Sequence, residues 1–314
     1  MANLIVGDGS IFTAAISNAL GVSVLLQPNH ETNLNWFNSD TKIFYGDSSN
    51  EKLVSSILEN QKVESIIYIP SKENSENIIE YARNQLHGIT HFLDGWRKSK
   101  SPETKTLIFL SSLEVYGVGK EEENDISHLT RLKPVTSFGA ALAGIEAILH
   151  SYAVSYRLNI KILRLKSDSS KIHFGKVLQA IDLLSQHREG PAEIFHLPTD
   201  SAEDFSNDYV SKLINLPGWK DSVEDKDLIK AISAKKEFKP AARFLIFGAK
   251  GWIGGQFVRE LEKQKIEVIA ASTRPGQDAD KIIGEEITQV SPSHVISMLG
   301  RTHGPGKINI ILLL

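Results

Sequence analysis

Leu4-Ile5-Val6-Gly7-Asp8-Gly9 is a short apolar run that ends in two glycines, and a segment of helical periodicity, Ile11 to Leu20, follows at once. An apolar strand that turns through glycine into a helix is the start of a βα unit. The pattern continues outward from it. Val22 to Leu26 is apolar again, Ile43 to Tyr45 ends at Gly46-Asp47, and Leu53 to Leu58 has helical spacing. Val63 to Ile69 reads as a buried strand, Glu76 to Arg97 as a long amphipathic helix, and Leu107 to Leu110 as a strand that stops at Ser111-Ser112. An Ala-rich helix spans Val135 to Tyr156, and Ile160 to Leu165 is another strand. Short apolar strands alternating with helices predict an α/β protein with a parallel, doubly wound sheet of Rossmann type.

The rhythm weakens after Leu165. Residues 1–219 are therefore expected to form one domain, with 166–219 as a small lobe for substrate. A charged stretch, 220–242, reads as a linker. The opening pattern then returns: Phe244 to Phe247 is followed by Gly248-Ala249-Lys250-Gly251-Trp252-Ile253-Gly254-Gly255 and a helical segment. The chain thus repeats itself loosely at a spacing of about 240 residues, and 243–314 is expected to be a second, incomplete Rossmann half.

Composition bounds the function. Hydrophobic residues make up 41 % of the 314, enough for a sizeable core. The net charge of −3 gives no general attraction to nucleic acid or anionic membrane. The absence of cysteine excludes disulfides, thiolate metal sites and thiol nucleophiles. No apolar run approaches the ~18 residues of a membrane span, and no basic region precedes the first apolar stretch. A soluble, cytoplasmic protein is expected.

Glycine loops between a strand and a helix bind pyrophosphate because they let backbone approach the phosphates, while the helix N-terminus supplies N–H donors. In the second loop Gly248, Gly251 and Gly254 keep three-residue spacing, which points to a dinucleotide seat. The first loop keeps Gly7 and Gly9, but Phe12 takes the place expected for a third glycine. The strand at Val22 to Leu26 ends in Gln27-Pro28-Asn29, with no acid to hold a ribose hydroxyl. Its fold signal survives; its cofactor signal is weaker.

Several stretches together resemble the extended short-chain dehydrogenases/reductases, in particular the NAD-dependent nucleotide-sugar epimerases and dehydratases. They are Gly7-x-Gly9, Gly46-Asp47, Asn84 to Thr90, Ser111-Ser112-Leu113-Glu114-Val115-Tyr116-Gly117, Pro134 to Glu146, and Arg164. The resemblance implies that Asp47 lies near an adenine and that Ser112 meets the reacting oxygen of a nucleotide sugar, with Glu114 left from an acidic catalytic pair. It also implies a Tyr and a Lys four residues apart on one helix face, the acid/base and its activating cation. Phe138 and Leu142 stand at those two positions, and neither can move a proton. The pairs Tyr68/Lys72 and Tyr116/Lys120 have the same spacing but flank Pro70 or a Gly117/Gly119 loop.

The second loop, with Pro292-Ser293-His294-Val295 and Gly300 to Pro305, resembles the dTDP- and UDP-4-keto-rhamnose reductases. This implies NADP or NAD at Gly248, Gly251 and Gly254. Lys250 and Arg274 are either ligands of a 2′-phosphate or solvated charges. The residues after Gly306 do not continue the pattern, and Gly306-Lys307 can be encoded by a splice-donor-like hexamer, so a truncated or alternatively spliced form of a longer protein is expected. Three readings follow. The chain is a rhamnose-type nucleotide-sugar protein that is catalytically silent in this form, or a regulatory or dimerising subunit. The latter is a homodimer or a partner of another sugar-nucleotide enzyme. Alternatively, its first domain has an unusual activity of Ser112, Glu114 and Tyr116. His87 and His91 are spaced to share a helix face, but no third ligand is suggested and no metal is expected.

Overall fold

The computed structural model describes residues 3–27, 34–72, 77–117, 130–166, 172–198, 212–223, 243–263, 267–271, 279–290, 292 and 294–298. The chain divides into two compact units, Met1–Phe238 and Lys239–Leu314.

The first unit is built on a seven-stranded parallel sheet in the order β3-β2-β1-β4-β5-β6-β7. In chain order these strands are β1 (Asn3–Asp8), β2 (Ser23–Gln27), β3 (Ile43–Tyr45), β4 (Ser65–Tyr68), β5 (Thr106–Ser112), β6 (Asn159–Leu165) and β7 (Ala192–His196). Their connections contain the helices α1 (Ile11–Leu20), α2 (Glu51–Asn60), α3 (Ile78–Lys98), α4 (Ser137–Tyr156) and α5 (Phe174–Gln186). Strand order reverses between β1 and β4, and in open α/β sheets the ligand crevice opens at that point beyond the carboxyl ends of the strands.

Helices cover both faces, so the central strands are buried along both faces. Leu4 and Val6 belong to the core beneath α2, α3 and α4, while Ile5 belongs to the core beneath α1 and α5. Trp96 of α3 is fully buried in the first of these cores; Trp36 and Trp219 pack against the second. α4 is long and apolar enough to cross a membrane by length and composition alone. Here it is a core helix, burying Leu142, Ile145, Leu149 and Ala153 against the sheet.

One expectation needs correction. The described residues of 166–219 do not all stand apart as a lobe. α5 packs under β5, and β7 pairs in parallel with β6, Ile162 opposite Ile194, so β7 completes the main sheet. The segment's apolar pattern was short of one strand because β7 is only five residues long and half-buried over its first part.

The second unit contains a three-stranded parallel sheet, β10-β8-β9, with β8 (Arg243–Phe247), β9 (Glu267–Ala270) and β10 (His294–Ser297). α6 (Trp252–Lys263) and α7 (Ala279–Val290) connect them. The residues from 299 onward lie outside the described ones, and Arg274 does as well.

Candidate functional site

The carboxyl ends of β4 and β5 bring five of the first unit's polar and aromatic side chains together. Ser112 ends β5 and caps a short 3-10 turn, Leu113–Tyr116, its hydroxyl accepting the Glu114 N–H at 3.2 Å. This turn sets Glu114 at the mouth of the sheet. One Glu114 oxygen receives the Lys72 ammonium at 2.7 Å, and the other accepts the Thr136 hydroxyl at 2.6 Å. Thr136 also caps α4 through the Gly139 N–H, so the helix cap and the carboxylate share one side chain. The Lys72 ammonium lies 5.2 Å from the centre of the Phe138 ring, a cation–π contact.

The helix positions expected for the acid/base pair are thus placed. Phe138 sits under the Lys72–Glu114 pair, and its ring offers no proton. Leu142 is 1 % exposed and part of the apolar core. The Tyr68/Lys72 pair does not form. Tyr68 is buried against Phe92 and Phe109, and burial pushes its phenol up to about 12 despite the Ser48 contact. Lys72 turns to Glu114 instead. Lys120 lies outside the described residues.

Tyr116 belongs to a second, fully buried network. Its hydroxyl receives Arg164 and lies 3.0 Å from His196 Nε2. Arg164 makes a two-oxygen ion pair with Glu146 of α4, and Ser111 donates to the same carboxylate at 2.6 Å. Both ions of the pair are closed off from water, so their mutual hydrogen bonds are what make burial tolerable. Ser112 and Glu114 therefore sit together, joined by the Glu114 N–H, while the third member of that expected trio, Tyr116, turns to the Arg164–Glu146 pair.

Asp47 lies beyond β3, its carboxylate accepting the Ser49 N–H at 2.7 Å, and shapes the turn into α2. His87 and His91 do share a face of α3, their rings 4.4 Å apart, and His91 Nδ1 meets Glu51 at 3.0 Å. No group of three metal-ligating side chains occurs among the described residues.

The two glycine loops differ in a way the spacing alone does not reveal. In the second loop Gly248 has φ 82°, and a Cβ on Gly254 would fall 2.1 Å from the Gly248 carbonyl oxygen, so only glycine fits there. Gly251 donates to the same carbonyl at 2.9 Å. Lys250 is exposed at the turn. The contact is between residues six apart. The residue opposite Gly7 is likewise six apart: Thr13, whose Oγ1 would lie 3.1 Å from a Cβ on Gly7. Thr13, not Phe12, occupies the third glycine's place, because helix α1 begins one residue later than a Gly-x-Gly-x-x-Gly count assumes. Ser10 caps α1 and stands where Gly251 stands in the second loop, and Gly9 stands where Lys250 does. Asp8, between the two glycines of the first loop, is buried. Its Oδ1 accepts the Ser10 N–H at 3.1 Å and the Thr13 hydroxyl at 3.3 Å, and its Oδ2 accepts the Ser71 hydroxyl at 3.0 Å.

The second loop thus has the close glycine contact that a dinucleotide pyrophosphate requires, whereas the first has Thr13 at that place and the Asp8 carboxylate beside its turn.

Comparison with known proteins agrees with this architecture. The chain is 28 % identical over 136 residues to dTDP-D-glucose 4,6-dehydratase of Dictyostelium discoideum, covering 39 % of this chain and 31 % of that one. It is 44 % identical over 68 residues to uncharacterized protein L780 of Acanthamoeba polyphaga mimivirus, 22 % of this chain and 23 % of the other. The chain therefore spans about a quarter to a third of the length of these curated relatives. Among solved structures, DesIV of Streptomyces venezuelae, a dTDP-glucose 4,6-dehydratase with NAD and TYD bound, superposes with a TM-score of 0.51 at 16 % identity, over 63 % of this chain and 75 % of that one. The UDP-N-acetylglucosamine 4-epimerase of Methanobrevibacter ruminantium gives 0.55 at 14 %, over 74 % and 97 %. At these identities the structures share the fold. The match that reaches the family is to the NAD dependent epimerase/dehydratase family over residues 8–180, more than half of the chain, and the protein belongs to that family.

Proposed function

We propose that this is a nucleotide-sugar protein whose first unit has kept the family's fold without its hydride-transfer chemistry, and whose dinucleotide seat is the second glycine loop. The observation that carries the first part is the floor of the site: an unhydroxylated ring, Phe138, under an ammonium already neutralised by Glu114, and a core leucine, Leu142, where a cation would be needed. A phenol tuned near neutral pH is the usual proton carrier in such a site, and none is available there.

The close Gly248–Gly254 contact supports NADP or NAD at the second unit. The Gly248–Gly255 stretch supports a place in 4-keto-rhamnose-type reduction, where a bound NADPH or NADH would supply the hydride for a 4-keto sugar nucleotide. Titrating the protein with NADPH and NADH tests the seat: binding should weaken at least roughly tenfold in Gly254→Ala. Single-turnover assays with dTDP- and UDP-linked 4-keto sugars test silence, and a measurable turnover would end that reading.

An exposed apolar face on α3 favours a second reading, that of an associating subunit. Ile79 is 82 % exposed beside an open cleft shared with Ala82, Leu86 and His87. Sedimentation of the intact chain against Ile79→Asp would show whether it associates there.

A further inference from the structure

We infer that Asp8 closes the first glycine loop to dinucleotides, its own carboxylate standing in the place of a pyrophosphate. In a doubly wound sheet the pyrophosphate lies at the strand-order reversal, against the N-terminus of the helix after the first strand. Here that reversal is between β1 and β4. Asp8 is the last residue of β1, and Ser71 follows β4. The Ser71–Asp8 hydrogen bond at 3.0 Å therefore spans the crevice itself. The other carboxylate oxygen takes the Ser10 N–H and the Thr13 hydroxyl at the start of α1. Tyr81 of α3 donates to the Ser71 carbonyl at 2.5 Å and ties down the far side. Asp8 is only 7 % exposed, so an incoming anion would meet its carboxylate in a low-dielectric site.

The second loop is the internal control. Aligned by its close glycine contact, it has Ala249 in the place of Asp8, Gly251 in that of Ser10 and Gly254 in that of Thr13. The same turn is built twice in one chain, once with a carboxylate across it and once without. A phosphate entering the first loop would have to displace three hydrogen bonds and then lie against an anion.

This inference rests on the proposed second-loop seat only for where wild-type NADH binds. The test is NADH titration, followed by fluorescence and calorimetry, of the wild type, Asp8→Asn, Gly254→Ala and the double variant. Gly254→Ala should lose most binding, and adding Asp8→Asn should restore it by roughly tenfold or more. Asp8→Asn alone should bind a second NADH. Should Asp8→Asn lose its far-UV helical signal, Asp8→Ser replaces it. Undiminished binding by Gly254→Ala, or no gain from the change at Asp8, would overturn the inference. If the wild type binds no NADH at all, the second-loop seat fails, and Asp8→Asn alone still decides: a gain supports closure by Asp8 and no gain refutes it.

Discussion

Arg164 and Glu146 show what single residues contribute here. The pair joins β6 to α4 inside the sheet, with Tyr116, His196 and Ser111 satisfying its remaining hydrogen bonds. Replacing Arg164 with Met should leave the Glu146 carboxylate buried without its cation and cost about 3–5 kcal/mol, read as a lower denaturation midpoint. A loss under about 1 kcal/mol would mean that water reaches the pair. Arg164 and Glu146 were legible as resemblance positions, but their pairing was not, since 18 residues separate them. The same holds for Lys72. Sequence spacing suggests Tyr68 as its partner, whereas chain folding brings it to Glu114, 42 residues away.

α4 approaches the 3-10 turn after β5 so closely that a Cβ on Gly139 would lie 2.5 Å from the Glu114 carbonyl oxygen. Gly139→Ala should push the helix start away from the turn and destabilise the first unit by about 1–3 kcal/mol, measurable by urea denaturation. It should also break the Thr136–Glu114 bond, since that contact depends on the same approach. Unchanged stability would show that the helix can shift without cost. A helix over Val135 to Tyr156 is legible from composition and periodicity. That its first turn is pressed on Glu114 is not, because the contact depends on how β5 and α4 are stacked.

For the whole molecule, the edge beyond β6 sets a pH limit. Glu193 of β7 meets the fully buried Lys161 at 2.8 Å, Lys212 at 2.9 Å and His187 at 2.8 Å. Burial alone would raise its carboxyl, but the ammonium partners Lys161 and Lys212 outweigh it and hold the group down to about 2, against an ordinary 4.5. A depressed carboxyl stabilises the fold above its unfolded value and loses that contribution as pH falls toward the folded one. The first unit should therefore lose stability between about pH 4.5 and pH 2, and Glu193→Gln should flatten that decline in denaturation curves at stepped pH. An equally steep decline in the variant would assign the effect elsewhere. The two units should also differ. β5 and β6 are buried along their whole length, while β9 and β10 are half-exposed. Amide hydrogens of β8 to β10 are expected to exchange faster than those of β5 and β6, with matching rates as the contrary result.

Apolar runs of strand length, helical spacing and glycine turns are local properties, so the order of elements as far as β6, the parallel class of the sheet and the presence of two glycine loops could all be read from the chain itself. The absence of a phenol and an ammonium at positions 138 and 142 was equally plain. Which residues meet across the sheet could not be read. Asp8 looks like an ordinary loop aspartate until β4 is laid beside β1 and delivers Ser71 to it. Thr13 becomes the third-glycine position only when the start of α1 is seen against Gly7. Hydrogen bonds and close contacts are short-range, and strand pairing alone decides which distant segments come within their reach.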